Sequence, residues 1–168
     1  MPSFTIRRAS ADDPPGIHDV HEQAVRRICT LDYSPEEIDA WVGGPRTEPD
    51  PAEARRVATG DGVVIGFSGL RGDEVWAVYV HPDWLRRGVG TALLREAEQK
   101  ALHDGVSRLR LHASLGAVPF YAANGYRTIQ TTTHLLGGRV PIRCVQMTKE
   151  LRATGPARPP ASLEDPTL

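Results

Sequence analysis

Cysteine is scarce: Cys29 and Cys144 are the only two in 168 residues, and no CxxC or paired Cys/His spacing surrounds them. That is too few for a secreted disulfide framework, offers no zinc pattern, and makes the reducing cytoplasm the expected compartment. An excess of one charge is also lacking. Twenty basic and 21 acidic side chains leave a net charge of −1 at pH 7, so no global field draws the chain to nucleic acid or an anionic membrane. Long apolar runs are missing as well. The opening MPSFTIRRAS has no signal-peptide core, and no stretch approaches the ~18 apolar residues of a membrane span.

Glycine and proline are plentiful, at 16 and 14 residues, and their positions divide the chain. Four prolines follow Ala153, where apolar periodicity ends, predicting one domain over residues 1–152 and a flexible tail over 153–168. Three more lie between Pro45 and Pro51, a predicted loop. Gly60, Gly62, Gly72, Gly137 and Gly138 sit between alternating segments as hairpin punctuation.

Between these breaks the pattern predicts a short strand at Phe4–Arg8 and a helix from about Ile17 to Leu31. A second helix starts at the Ser34, Pro35, Glu37 capping box and stops at Gly43 and Gly44. Strands follow at Arg55–Thr59, Val63–Leu70 and Glu74–His81. A helix then opens near Gly90 and runs to His103, before a half-buried strand over Val106–Ala113. Strand, helix, strand implies one parallel right-handed crossover. A short helix over Val118–Asn124 and a hairpin of Thr128–Leu136 with Val140–Lys149 complete the domain. The fold class is α/β (α+β): a mixed sheet flanked by helices.

The chemistry concentrates where the strand VWAVYVHP meets RRGVGT at the start of a helix. Glycines allow close backbone approach, a helix start presents unpaired amides, and Arg86 and Arg87 add positive charge, which together suit a phosphate. The helix dipole alone contributes only ~0.3–1 kcal/mol, so several amides and an arginine must act together. A dinucleotide fold would need glycine at position 93 and an acid about twenty residues on; Leu93 and the run Arg108–Arg110 stand there instead. No GK[ST] follows a glycine loop, so a Walker motif fails too.

VYVHPDWLRRGVGTALL followed by LRLHASLGAVPFYAANGY resembles the GNAT superfamily of acyl-CoA N-acyltransferases: its fourth strand, pyrophosphate loop and third helix, then its fifth strand and following helix. DYSPEEIDAW and GGRVPIRCVQMTKEL are similar to a bacterial subset of acetyltransferases, and the likeness runs over about residues 4–151. The resemblance implies a mostly antiparallel twisted sheet with the fourth and fifth strands splayed apart. It implies that Val78, Tyr79 and Val80 hold the pantetheine arm of acetyl-CoA, that Arg86, Arg87, Gly88, Val89, Gly90 and Thr91 wrap its pyrophosphate, and that Tyr121 protonates the departing thiolate. It also suggests a bulge near Val80 that frees a backbone N–H for the oxyanion. Two cofactor-binding positions depart from the pattern: Leu85 stands where glutamine or arginine is usual, so that polar contact is absent or supplied by Arg86, and Gly116 stands where asparagine is usual, so a side-chain contact to the cofactor is lost.

The implied reaction is attack of a primary amine, on a small molecule or peptide, at the thioester in a ternary complex. An amine of pKa about 10.4 is only ~0.04% neutral at pH 7, a deficit of ~4.6 kcal/mol, so a base is expected. Glu74, at the start of the fourth strand, is the candidate, directly or through water; a solvated turn carboxylate is the competing reading. Tyr33 and Trp41 are candidate walls of the acceptor pocket, with core packing the alternative, and Trp76 reads as core. His18 and His21 lack a third convergent ligand, so no metal is expected. Cys29 reads as a buried thiol and Arg108 with Arg110 as a solvated sheet face. A non-catalytic acyl-CoA-binding module is the alternative to an enzyme. No partner beyond the acceptor is coded, although a homodimer is compatible with the sequence.

Overall fold

The computed structural model describes residues 3–44 and 52–152; the predicted Pro45–Pro51 loop and the tail from Ala153 lie outside them. The chain begins with strand β1 (Thr5–Arg8) and helix α1 (Pro14–Ile28). This helix starts three residues before the expected Ile17, because Pro14 and Pro15 occupy the first turn, where a missing N–H costs nothing. Its end is also earlier: Cys29–Leu31 tighten into a 3₁₀ turn. Ahead of the helix, Asp13 accepts both guanidinium nitrogens of Arg7 at 2.8 Å and the Ser10 amide at 2.6 Å, tying the end of β1 to the helix start. Helix α2 (Pro35–Val42) has the anticipated capping box, with the Glu37 amide donating to Ser34 Oγ at 3.2 Å, and closes at Gly43.

Strands β2 (Glu53–Gly60), β3 (Val63–Arg71) and β4 (Glu74–Val80) form an antiparallel meander. Helix α3 (Val89–His103) crosses to strand β5 (Arg108–Ala113), and helix α4 (Val118–Ala123) leads to β6 (Arg127–Leu136) and β7 (Val140–Glu150). The seven strands lie in the order β1-β2-β3-β4-β5-β7-β6. Every pairing is antiparallel except β4 with β5, so the sheet is mixed, with the single crossover that the sequence pattern implied.

Alternation within the strands sends neighbours to opposite faces. Val57 packs with Ile17 and Val20 of α1, whereas its neighbour Ala58 packs with Val89 and Leu93 of α3. Helices α1 and α2 therefore cover one face and α3 the other. The largest cluster lies under α3, where Leu94, Ala97 and Ala101 meet Leu109, Leu111 and Met147. Leu93 has no accessible surface, so truncating it to alanine would cost about 2–5 kcal/mol.

Trp76 is not core. The β3–β4 register steps from Leu70↔Val75 to Gly69↔Ala77, leaving Trp76 as an extra residue on β4. Its indole is 37% exposed and lies over Gly69, with the Arg55 and Arg71 guanidiniums 5.4 and 6.0 Å from the ring centroid. The register beyond it is regular through Gly66↔Val80, so the bulge anticipated near Val80 sits four residues earlier.

Candidate functional site

β4 and β5 register at one pair, Glu74↔Arg110, and separate beyond it. Between their diverging ends lies a cleft of about 570 Å³, walled by the end of β4, the loop into α3, the turn after β5 and the end of α1. The backbone of β4 has an open edge there. His81 donates its amide to the Ile65 carbonyl at 2.8 Å, so alternation along the antiparallel pair turns the Tyr79 amide towards Phe67. Val78 and Val80 consequently point their N–H and C=O groups away from β3, towards the splay. No bulge is needed to free them.

The cleft continues onto the start of α3. Gly88 is the N-cap, in the left-handed region at φ 82°, and no side chain caps the helix. The first intrahelical bond is from the Ala92 amide to the Gly88 carbonyl at 3.0 Å, which leaves the amides of Val89, Gly90 and Thr91 without helix partners. Open space surrounds the position of a Cβ on Gly88; one on Gly90 would press on Phe120 at 3.2 Å. Arg86 also takes a positive φ, 60°, and lines the cleft. Strand edge, free amides and arginine are a donor set suited to an elongated ligand with amide groups at one end and phosphates at the other.

Of the residues anticipated from sequence, the cleft wall contains Val78, Tyr79, Val80, Arg86, Gly88, Val89, Gly90, Thr91, Gly116 and Tyr33. Arg87 is not among them; its guanidinium stacks on Trp84, 5.0 Å from the ring centroid. Trp41 stands behind the wall, edge-on to Tyr33 at 5.3 Å. Tyr121 is 7% exposed, edge-on to Tyr126 at 5.7 Å. Burial pushes the Tyr121 phenol well above its ordinary pKa, and the nearby Tyr79 adds to that, so it stays protonated at neutral pH. No described residue is hydrogen-bonded to its hydroxyl. Glu74 lies outside the wall, at the point where β4 and β5 meet, with Arg110 Nη2 3.4 Å and His112 Nδ1 3.7 Å from its carboxylate.

Sequence reasoning missed several wall residues: Ala24, Ile28, Asp32, Trp84, Ser114, Ala117, Pro119 and Phe120. They come from helix ends and turns, whose local patterns signal only capping or packing. Cys29 also lines the cleft, and burial followed by the neighbouring Asp32 charge raises its thiol to about 11, so it is not an activated nucleophile. Burial, then the neighbouring His18, lowers His21. Among the described residues no cluster of three or more His, Cys, Asp or Glu could hold a metal ion, and no helix is long and apolar enough to cross a membrane.

The profile of the acetyltransferase (GNAT) family matches residues 18–126, a span that contains most of α1, the splayed strands and the α3 start. The chain belongs to the acetyltransferase (GNAT) family. Among GNAT relatives, the uncharacterized N-acetyltransferase YafP of Escherichia coli K12 is 29% identical over 133 residues, 77% of this chain and 85% of the relative. A GCN5-related N-acetyltransferase from Rhodopseudomonas palustris has the same fold at a TM-score of 0.80 and 28% identity, covering 90% of this chain and 98% of the other. The PaiA N-acetyltransferase of Thermoplasma acidophilum, solved with coenzyme A, shares the fold at a TM-score of 0.70 and 22% identity, over 88% and 99% of the two chains. GNAT membership makes this chain an acyltransferase.

Proposed function

We propose that the protein transfers the acetyl group of acetyl-CoA to a primary amine by direct attack in a ternary complex. The observation that carries this reading is the splay itself: the outward backbone edge of Val78 and Val80 runs into the uncapped start of α3. The edge groups would bond the two amides of a pantetheine arm as a neighbouring strand does. The amides of Val89, Gly90 and Thr91, with Arg86, would bind the pyrophosphate. Leu85, 44% exposed at the cleft, replaces the polar side chain usual at its position, which leaves Arg86 as the cation of the wall. When bound, acetyl-CoA supplies an activated thioester carbonyl.

The chain's own residues then have separable tasks. The Val80 N–H, turned towards the splay, would donate to the thioester oxygen as negative charge develops. Tyr121, kept protonated by burial, would donate to the departing sulfur; it stands outside the cleft wall, with its ring against that of the wall residue Phe120. Glu74 remains the proposed base. It stands outside the cleft wall and against Arg110, so it would take the amine's proton through water.

Incubation with acetyl-CoA and a panel of small amines and peptides, with CoA thiol release followed by a chromogenic disulfide, tests the reading. Release that requires both acetyl-CoA and an amine is the expected result. Tight CoA binding with no release for any amine would instead favour a non-catalytic acyl-CoA-binding module, the reading to which Leu85, Gly116 and the remote Glu74 point.

A further inference from the structure

Asp32 is the one carboxylate among the described residues that line the cleft. It follows the 3₁₀ turn after α1, its side chain is exposed, and no described residue pairs with or hydrogen-bonds to its carboxylate. Burial makes Cys29 and Tyr33 harder to ionise, and the Asp32 charge adds to the effect on both. Asp32 lies against Gly116: a Cβ at that position would stand 3.0 Å from Asp32 Oδ2, the one atom beyond the chain neighbours within 4 Å. Any side chain at position 116 would therefore crowd the carboxylate. Tyr33 ties the two turns together, accepting the Leu115 amide at 3.0 Å. The departure at position 116 and the unpaired carboxylate are thus two sides of one feature.

We infer that Asp32, given room by Gly116, is a subsite for a cationic group of the acceptor, so that the enzyme prefers amines bearing a second positive charge, diamines or polyamines, to monoamines. This inference rests on the reading of the cleft as a site of amine acetylation. The group held must be a second one. A carboxylate beside the reacting nitrogen would stabilise its ammonium form and hold the proton that attack requires it to lose. A distal ammonium keeps its charge throughout, so pairing it with Asp32 orients the chain without opposing deprotonation. Arg86, the basic residue of the wall, comes from the loop before α3 and is left for the phosphates.

The test compares α,ω-diamines with monoamines of the same chain length, in binding to the CoA-loaded protein by calorimetry and in acetyl-CoA-dependent thiol release. An exposed ion pair corresponds to a preference of up to about fivefold, and a preference of about twofold to fivefold is expected for the diamines in the native protein. D32N should abolish that preference while leaving the dissociation constant for CoA within about twofold. G116A and G116N, whose new side chains crowd the carboxylate, should reduce the preference in that order. Equal binding of the two amine classes, binding of neither, or a preference that survives D32N overturns the inference. Binding is read without turnover, so the inference can fail while thiol release upholds acetyl transfer, or stand while its absence removes it.

Discussion

The Tyr33 hydroxyl and the Leu115 amide are hydrogen-bonded at 3.0 Å across 82 residues of chain, and the same hydroxyl donates to the Arg143 carbonyl at 2.6 Å. One phenol thereby joins the turn after α1 to the turn after β5 and to β7, closing one end of the cleft. Tyr33→Phe would strand a buried N–H and a C=O. The expected loss is about 1–3 kcal/mol of stability, measured by urea unfolding. Unchanged stability would mean that water replaces both bonds and that Tyr33 does not hold the wall together.

Gly88 is needed for its backbone. At φ 82°, alanine would be strained by about 1–2 kcal/mol, although open space surrounds its Cβ. Gly90→Ala fails for the other reason, its methyl group meeting Phe120 at 3.2 Å. Each substitution is expected to weaken CoA binding by about tenfold, equivalent to ~1.4 kcal/mol, as read by calorimetry. Native affinity in both would argue against phosphate binding at the α3 start.

Tyr121→Phe separates an acid from a packing residue. The ring contacts with Phe120 and Tyr126 survive the change, so CoA affinity and thermal midpoint should hold. Turnover should fall by about a hundredfold, the low end for general acid catalysis. Full turnover with unaltered CoA binding would remove the proposed role.

Glu74→Gln keeps the shape of the side chain and removes its charge. If Glu74 takes the proton through water, the rate at pH 7 should fall by about a hundredfold, with a smaller deficit at high pH, where more of the amine is already neutral. A uniform loss at every pH would indicate that the substitution acts by disturbing Arg110 at the strand junction.

Acid stability should depend on Asp13. The Arg7 guanidinium, with help from Ser10, lowers its carboxyl to about 2, below the unfolded value of about 3.9. A carboxylate whose folded pKa is depressed contributes stability that is complete above the unfolded pKa and lost as pH falls through the folded one. Stability should therefore decline between about pH 4 and 2. Asp13→Asn should flatten that part of the curve, measured by denaturant midpoints across the range.

Legibility followed the range of the physics. The capping box at Ser34, the alternation along β5 and the glycine turns act between residues a few positions apart, so pattern alone revealed them. The start of α1 was misjudged because two consecutive prolines look like a turn and yet suit a first helical turn equally well. Trp76 was misread because a bulge changes which face a residue occupies, and nothing in VWAVYV marks the extra residue.

The sequence by itself determined that this is a mixed α/β domain of GNAT type with one helix start suited to phosphates, because period, capping and glycine placement are local properties. Only the tertiary structure decided that Val78 and Val80 present an open strand edge, since that depends on where β5 leaves β4. It also decided that Tyr33 is a tie between turns, that Glu74 stands outside the cleft, and that the missing side chain at Gly116 makes room for Asp32. Each of these is a contact between distant segments, set by how the strands diverge and the helices pack rather than by spacing along the chain.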